Sequence, residues 1–562
     1  DFSDQVLTVE PTAECLGRGA EDKRVRHKDR FGMEDIGAEG AKALAEALKT
    51  NASVTGIDLW NEIGAEGAKA LAEALKTNAS VTDIDLRLNE IGDEGAKALA
   101  EALKTNASVT KIDLGWNDIG AEGSKALAEA LKINSSVTSI GLIRNDIGAE
   151  GAKALAEALK TNASVTDIHL SRNRIGTEGA KALAEALKTN ASVTDINLGV
   201  NQIRDDGAEA LAEALKTNTS VTGIGLFFND IGAEGAKALA EALKTNASVT
   251  DINLGVNQIR DDGAEALAEA LQINKSVMNI DWEHNNIGAE GAKALAEALE
   301  INKSMTNIAL QYNQIGAEGD KEESDRQARR TPFETPVRLQ AWAEALKINS
   351  SVTKINLNND IGDEGAKALA EALKINKSIT NIDLCRHQIG EIGDEGAKAL
   401  AEALKINKSI THINLGENQI GAEGAKALAE ALKINKSITN INLGENQIGA
   451  EGAKALAEAL KINASVTDIS LFNNQIGAEG VKALAEALKI NGSVTNIDLD
   501  NNNIGNVGAE ALAEALKINK SITNINLGGN QIGAEGAKAW CVAGSAECCG
   551  DLMEDVMSRT SC

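Results

Sequence analysis

The sequence predicts an α/β solenoid with a parallel β-sheet on its concave face and α-helices on its convex face. Two observations predict it. A unit of about 28 residues recurs along almost the whole 562-residue chain, and within each unit the apolar spacing changes from that of a strand to that of a helix. One strand and one helix cannot bury their apolar faces alone, so neighbouring units must stack.

The strand of each unit is short and buried. In the copy VTDIDLRLNEIGDEG at 81–95, the apolar residues Val81, Ile84 and Leu86 are mostly β-branched, as strands prefer. About 17 such strand segments follow one another, from Val54 to the segment at Ile522.

The helix follows in GAKALAEALK at 95–104. Apolar residues recur at helical spacing and form one stripe, made of Ala96, Leu99, Ala100 and Leu103. Lys97 and Glu101, four residues apart on the opposite face, are expected to form a surface ion pair.

Small and polar residues bound this helix. Gly92 and Gly95 are expected to permit the turn into it, because glycine adopts conformations that other residues avoid. Asn106 is expected to end it in a left-handed conformation.

Stacking predicts curvature. Parallel strands lie about 4.8 Å apart, whereas helix axes need about 10 Å. With two layers roughly 10 Å apart, the mismatch bends the stack by about 25–30° per unit. The expected shape is a horseshoe that opens out or climbs as a superhelix.

The pattern VTxIxLxxNxIGxxGxxxLxxxLxxN resembles the ribonuclease-inhibitor type of leucine-rich repeat over residues 36–540. That class includes the repeat regions of NOD-like receptors and Ran GTPase-activating protein. The resemblance implies a leucine-rich-repeat solenoid of about 17 repeats. It also implies a ladder of buried asparagines that starts at Asn61, Asn89 and Asn117 and ends at Asn530, with His387 as the exception. The motif is specific for fold and not for function.

Three segments depart from the repeat: an irregular N-terminal tail or cap (1–35), a charged insertion with two prolines (320–340) and a cysteine-containing C-terminal tail (541–562). The insertion is expected to be an exposed loop, after which the helix resumes at Ala341. Thr331 and Thr335 precede its prolines and are candidate phosphorylation sites, although the insertion can equally be neutral or a gene-model artefact.

Composition excludes several functions. A net charge of −27 argues against an electrostatic grip on nucleic acid or on anionic lipid, and no apolar run is long enough for a transmembrane helix. Only Cys385 lies within the repeats, which favours a reducing, cytoplasmic location. Asn-x-Ser recurs about once per unit, and we interpret it as a structural motif rather than as glycan acceptors. Because the chain begins at Asp1, we expect it to be a fragment.

The sequence contains no catalytic, metal or cofactor signature. Strings such as GAEGAKAL lack the spacing of a phosphate-binding loop, and the five histidines do not converge. The C-terminal cysteines match no zinc spacing. We therefore predict a protein that is not an enzyme, with no cofactor.

The copies differ mainly at inward-facing and strand-exit positions, where partner contacts are expected. Aromatic and arginine side chains, which are enriched in binding hot spots, occur there at Trp60, Arg87, Trp116, Arg144, Arg172, Phe227, Phe228, Tyr312 and Phe472. Trp282 replaces a core leucine and is expected to pack inside. A concave acidic cluster is formed by Asp58, Asp83, Asp85 and Asp113. Drift between copies and a merely hydrated acidic surface are the plain alternatives.

We predict a non-catalytic scaffold whose concave face and strand-exit rim bind a protein, with a basic partner segment suited to the acidic cluster. Two other functions remain open. One is the sensor part of a larger NOD-like receptor. The other is a GTPase-activating protein similar to the Ran activator, with a rim arginine such as Arg144 or Arg172.

Overall fold

The computed structural model describes residues 37–60, 62–315, 335–357, 361–385 and 391–542. They fall into two compact units, the first ending at Ile231 and the second beginning at Gly232. Strands and helices alternate in both units, so the predicted leucine-rich-repeat solenoid is confirmed. The predicted tails at 1–35 and 543–562 and most of the predicted insertion lie outside the described residues.

The first unit contains these elements: α1 (Gly37–Leu48), β1 (Gly56–Asp58), α2 (Gly64–Leu75), β2 (Asp83–Asp85), α3 (Gly92–Leu103), β3 (Lys111–Asp113), α4 (Ala121–Leu131), β4 (Ser139–Gly141), α5 (Gly148–Leu159), β5 (Asp167–His169), α6 (Gly176–Leu187), β6 (Asp195–Asn197), α7 (Arg204–Leu215) and β7 (Gly223–Gly225). Its strands pair in parallel in chain order, and their central isoleucines align, from Ile57 through Ile84 to Ile224.

The second unit contains α8 (Ala233–Leu243), β8 (Asp251–Asn253), α9 (Arg260–Ile273), β9 (Asn279–Asp281), α10 (Ala289–Ile301), β10 (Asn307–Ala309), α11 (Thr335–Ile348), β11 (Lys354–Asn356), α12 (Gly362–Leu373), β12 (Asn381–Asp383), α13 (Asp394–Ile406), β13 (His412–Asn414), α14 (Ala422–Ile434), β14 (Asn440–Asn442), α15 (Gly449–Leu460), β15 (Asp468–Ser470), α16 (Gly477–Leu488), β16 (Asn496–Asp498), α17 (Gly505–Leu516), β17 (Asn524–Asn526) and α18 (Ala534–Val542). The strands β8–β17 pair in parallel in the same register.

The core lies between strands and helices. Ile84 of β2 and Leu99 of α3 are almost fully buried, as are the other members of the predicted helix stripe. Trp282 is buried at its leucine position as expected, and so is Trp342. The surface ion pair was predicted wrongly: Lys97 Nζ lies 3.0 Å from Glu94 Oε1, while Glu101 pairs with Lys104. Both spacings suit a helix, and here Lys97 and Lys104 each pair with the glutamate three residues earlier.

The two glycines of the turn have different roles. Gly92 has a φ of +58°, the left-handed conformation that favours glycine. Gly95 is helical. A Cβ there would lie 2.3 Å from Ile91 Cγ2 and 2.9 Å from Ala68 Cβ of the preceding helix, so Gly95 permits close helix packing rather than the turn.

Two asparagine ladders connect consecutive repeats. In the predicted ladder, the buried Asn117 donates from Nδ2 to Leu86 O (2.7 Å) and to Gly115 O (3.0 Å). Its Oδ1 accepts from the amides of Asn89 (3.1 Å) and Ile91 (3.2 Å). The amide therefore satisfies backbone groups of the preceding turn, as the resemblance implied. Asn61 and His387 lie outside the described residues.

The second ladder corrects the helix-end prediction. Asn106 is absent from the left-handed residues, and its equivalents Asn274 and Asn302 have φ of −66° and −67°. Asn106 instead donates to Leu75 O (2.8 Å) and Asn78 O (3.0 Å) of the preceding repeat. Its side chain, rather than a left-handed backbone, completes the helix end.

Helix α11 begins earlier than predicted. It starts at Thr335, so residues 335–340, assigned to the loop at 320–340, are helical. Pro336 is tolerated in the first turn, where its missing N–H has no helical acceptor. Thr331 lies outside the described residues, and the backbone of Thr335 opens the helix.

Candidate functional site

The strand-exit rim is the run of residues that precede the ladder asparagines, one in each repeat. In the first unit these residues have left-handed backbones with φ between 51° and 60°: Leu88, Trp116, Arg144, Arg172, Val200 and Phe228. Such conformations are uncommon for non-glycine residues and cost roughly 1–2 kcal/mol each. The rim therefore carries stored backbone strain.

The repeat frame imposes this conformation. The amide of Trp116, three residues after the end of β3, donates to Ile143 O (2.8 Å), and that of Arg144 donates to Ser171 O (2.8 Å). The next amide, that of Asn117, donates to Asn145 Oδ1 (3.1 Å). Because both amides are bonded to the following repeat, the backbone turns the same way whatever the rim side chain is.

Two tryptophan–arginine pairs lie on this surface. The guanidinium carbon of Arg87 lies 4.8 Å from the ring centroid of Trp60, and that of Arg144 lies 3.6 Å from the ring centroid of Trp116. Trp116 remains 39% exposed and Phe228 54% exposed. Such cation–π contacts contribute about 0.5–1 kcal/mol at exposed sites and hold both side chains in place. Sequence reasoning found these residues but missed their pairing.

Two predicted rim aromatics are less exposed than expected. Phe227 and Phe472 are half-buried. The ring of Phe227 covers Gly199 and that of Phe472 covers Gly444, since a Cβ on either glycine would lie 2.0 Å from a ring carbon. Each ring therefore packs on a glycine one repeat earlier, and neither ring is fully exposed to solvent.

The acidic cluster is aligned across β1–β3. Asp58 lies opposite Asp85, and Asp85 lies opposite Asp113. Arg87 lies between the last two, with Nε 2.9 Å from Asp85 Oδ1 and 3.7 Å from Asp113 Oδ2. Asp83 is 3.8 Å from Lys111 Nζ. The cluster is therefore partly neutralised by side chains of this chain.

The charges and burial of the acidic cluster still favour the approach of a further cation. Partial burial, with the neighbouring Asp85 carboxylate second, raises the pKa of Asp58. Burial also raises the pKa of Asp113, although the hydrogen bond that its carboxylate accepts from the Gly115 amide acts to lower it. The hydrogen bond to Asp85, joined by the surrounding carboxylates, raises the pKa of Arg87. A further cation beside Asp58 and Asp113 would be favourable.

The third strand residue has a structural reason to be Asp or Asn. Its side-chain oxygen accepts the amide two residues on: Gly115 N donates to Asp113 Oδ1 (2.9 Å), and Gly444 N donates to Asn442 Oδ1 (2.8 Å). This Asx turn shapes the strand exit. Sequence reasoning missed it, although the recurrence of Asp and Asn at this position was the available signal.

The second unit has a different concave surface. Strands β11–β15, with Asn307 of β10 and Asn496 of β16, line an open groove of about 500 Å³ that is rich in asparagine amides such as Asn440 and Asn442. On its rim, the rings of His284 and Tyr312 stack at 4.3 Å with an interplanar angle of 9°. Burial raises the pKa of the Tyr312 hydroxyl.

Within the described ranges, no three His, Cys, Asp or Glu side chains are grouped as metal ligands. Across the same ranges, each helix is too short or too polar to span a lipid bilayer.

Comparison with known proteins identifies the repeat. A family model described as Leucine Rich repeat matches residues 60–72, 77–100, 105–128, 134–156, 161–184, 189–212, 217–240, 245–268, 281–296, 349–370, 407–429, 435–457, 463–485, 491–513 and 519–539. Among solved structures, the chain is similar to one titled Leiomodin-1 Actin-Binding Site 2 (ABS2), with 27% sequence identity, coverage of 22% of this chain and 75% of that chain, and a TM-score of 0.21. No curated protein matches the chain.

Proposed function

Since the chain belongs to the leucine-rich repeat family, whose scaffold is shared and whose surface varies, we propose that it is a non-catalytic protein-interaction scaffold. Its partner contacts the strand-exit rim and the acidic cluster of the first unit. The residues that carry this proposal are Trp60, Arg87, Trp116, Arg144, Arg172 and Phe228.

The observation that carries the proposal is the strain of the rim. Asn473, Asn501 and Gly529 occupy the same left-handed position in the second unit with φ of 50–61°, so residues that tolerate this conformation do occur in the repeat. The first unit instead places aromatic or cationic side chains at four of the six left-handed positions: Trp116, Arg144, Arg172 and Phe228. Strained residues cluster at functional sites, and tryptophan and arginine dominate binding hot spots.

The partner surface that fits has two kinds of side chain. Flat apolar groups can cover Trp116 and Phe228. A basic segment can approach Asp58 and Asp113, whose pKa values are raised by burial first and by the Asp85 carboxylate as well. A cation there would lower both pKa values.

The test is affinity purification with a rim variant, Trp116→Asn with Phe228→Asn. Asparagine tolerates the left-handed backbone, as Asn473 and Asn501 show, so the repeat is expected to fold. The matched control is Val200→Asn, which changes the same position without removing an aromatic ring. We expect the double variant to lose partners that the control retains. Identical partner lists for all three proteins would contradict the proposal.

Two finer functions follow from the ribonuclease-inhibitor-type resemblance. A sensor part of a NOD-like receptor requires a nucleotide-binding domain upstream, which the full-length transcript would reveal. A GTPase activator requires an available arginine. Arg144 is stacked on Trp116, so the exposed Arg172 is the better candidate, and unchanged hydrolysis by a panel of small GTPases would dismiss it.

We also propose a cytoplasmic location. The asparagines of the Asn-x-Ser motifs are buried from Asn78 to Asn491, and their amide nitrogens donate within the ladder, as Asn106 Nδ2 does to Leu75 O at 2.8 Å. A glycan on such an amide would remove these bonds, so passage of the unfolded chain past the glycosylation machinery would oppose folding. Directing the chain to the secretory pathway and measuring glycosylation and yield tests this.

A further inference from the structure

One edge of the second unit exposes a row of isoleucines that the interaction surface above does not use. They lie at the C-terminal ends of helices α9–α17, just before the second asparagine ladder, and each leaves 52–67% of its surface in water. The nine are Ile273, Ile301, Ile348, Ile375, Ile406, Ile434, Ile462, Ile490 and Ile518. We call this row the isoleucine edge.

The isoleucines belong to one continuous edge. Asn407, which follows Ile406, donates to Asn376 O (3.0 Å), and Asn435 donates to Asn407 O (3.0 Å). These bonds hold successive helix ends side by side. At roughly 100 Å² for each side chain, the nine isoleucines together expose on the order of 900 Å² along the row.

The fold does not require isoleucine here. In the first unit the same position is threonine at Thr50, Thr77, Thr105, Thr161, Thr189 and Thr217, with isoleucine only at Ile133. The residue two places later also changes. It is alanine in most of the first unit, whereas six of the nine isoleucines are followed by a lysine: Lys275, Lys303, Lys377, Lys408, Lys436 and Lys520. In α12, α13, α14 and α17 the helix ends therefore gain an apolar and a basic side chain together.

The lysine charges lie at the edge itself. Lys303 Nζ donates to Glu300 O (3.2 Å), Lys408 Nζ to Lys405 O (3.2 Å) and Lys520 Nζ to Lys517 O (3.4 Å). By contrast, the lysines on the helix faces pair with glutamates three residues earlier, as Lys398 does with Glu395 at 2.7 Å. The helix ends at 371–377, 402–408, 430–436 and 514–520 each have two lysines for one glutamate, so these parts of the edge are locally basic although the chain carries a net charge of −27.

We propose that the isoleucine edge is a docking surface for an anionic lipid membrane. Protruding aliphatic side chains interleaved with lysines suit the headgroup region, which accepts apolar insertion and attracts basic residues. A second copy of the chain suits the edge less well, since its lysines would face one another when the isoleucines met. The net charge expected to oppose such contact is screened beyond about 8 Å at physiological ionic strength, so the local lysines decide the interaction.

The edge lies at the strand-entry ends of its repeats, whereas the rim lies at strand exits. Membrane docking is therefore independent of the proposed partner binding, and failure of either proposal leaves the other standing.

The test is flotation of the full chain with vesicles of phosphatidylcholine, either pure or containing about one-third phosphatidylserine. Three triple variants are compared with the wild type. The first is Ile375→Thr, Ile406→Thr, Ile434→Thr, and the second is Lys377→Ala, Lys408→Ala, Lys436→Ala; both introduce residues that the first unit already has. The control is Lys398→Ala, Lys426→Ala, Lys454→Ala, which removes the same charge from glutamate-paired lysines on helix faces.

We expect the wild type to bind the phosphatidylserine vesicles, the isoleucine variant to lose about tenfold or more in binding, and the edge-lysine variant to fall to the level seen with phosphatidylcholine alone. The control is expected to bind like the wild type. Thermal unfolding of each variant near that of the wild type shows that the fold is kept.

Four results would overturn the proposal. The first is a wild type that stays unbound with both vesicles. The second is an isoleucine variant that binds like the wild type. The third is a control variant that binds as weakly as the edge-lysine variant. The fourth is sedimentation that shows a wild-type dimer without lipid and a monomeric isoleucine variant, which would assign the edge to a second copy.

Discussion

Replacing Asn117 by alanine tests whether the ladder hydrogen bonds hold consecutive repeats together. The buried amide makes four bonds: two from Nδ2, to Leu86 O and Gly115 O, and two accepted by Oδ1, from the amides of Asn89 and Ile91. At about 1 kcal/mol for each bond lost from a buried partner, the free energy of unfolding should fall by about 4 kcal/mol.

The loss should be local, because each repeat of a solenoid contacts only its neighbours. Denaturant unfolding measures the total, and amide hydrogen exchange locates it. We expect faster exchange at Asn89 and Ile91, whose acceptor is gone, and unchanged exchange around Asn201. The control Asp118→Asn alters an exposed neighbour and should change stability by less than about 0.5 kcal/mol. A loss below about 1 kcal/mol with Asn89 still protected would mean that packing alone holds the repeats.

Three further predictions address the core, the rim and the acidic cluster. Leu99→Ala removes a fully buried side chain and should cost about 2–5 kcal/mol in denaturant unfolding; a neutral result would mean that the helix stripe is misassigned. Val200→Asn replaces a β-branched residue at a φ of +57°, so it should relieve backbone strain and raise stability by about 1 kcal/mol. A lower melting temperature would contradict the inferred strain at this position. Asp113→Asn keeps the Asx turn and removes a carboxyl whose pKa is raised by burial. Because that folded-state pKa lies above the unfolded one, the carboxyl is neutral and harmless at low pH and destabilises the fold as pH rises through both values. The variant should therefore exceed the wild type in stability near pH 7 and match it near pH 3; an equal difference at both would exclude titration as the cause.

Much of the fold follows from short-range pattern. The spacing of Val81, Ile84 and Leu86 predicts a strand, that of Leu99 and Leu103 predicts a helix, and the structure has both. The wrong predictions concern residues that can adopt either of two local arrangements. Lys97 can reach a glutamate three residues back or four residues ahead, and rotamers decide between them. Asn106 can end a helix by its backbone or by its side chain. The hydrogen bond from its side chain to Leu75 O, 31 residues earlier, favours the side-chain arrangement. Sequence rules for helix ends consider only nearby residues and do not include such a bond.

The candidate site shows the same division. Exposure of Trp116 and Phe228 was expected from their position after the strand, and both are exposed. The half-burial of Phe227 was not expected, because it depends on Gly199 in the preceding repeat. That signal was present, since Gly199 lies one repeat before Phe227, but it can be used only when residues are compared between units. The pairing of Arg144 with Trp116 also joins neighbouring repeats.

The two units differ at opposite ends of the repeat. In the first, the strand-exit rim carries Trp116, Arg144 and Phe228, while the helix-end position is mostly threonine. In the second, residues such as Glu417 and Asn473 occupy rim positions, while the helix ends carry the isoleucines and lysines. The frame residues Leu, Ile and ladder Asn are held by packing and by hydrogen bonds to both neighbours, so they tolerate little change. Rim and edge positions vary between copies. In the first unit the rim side chains depart most from the repeat, and in the second unit the edge side chains do, although His284 and Tyr312 stack on its rim as well. That separation would allow one chain to hold a protein at the first unit and a lipid surface at the second.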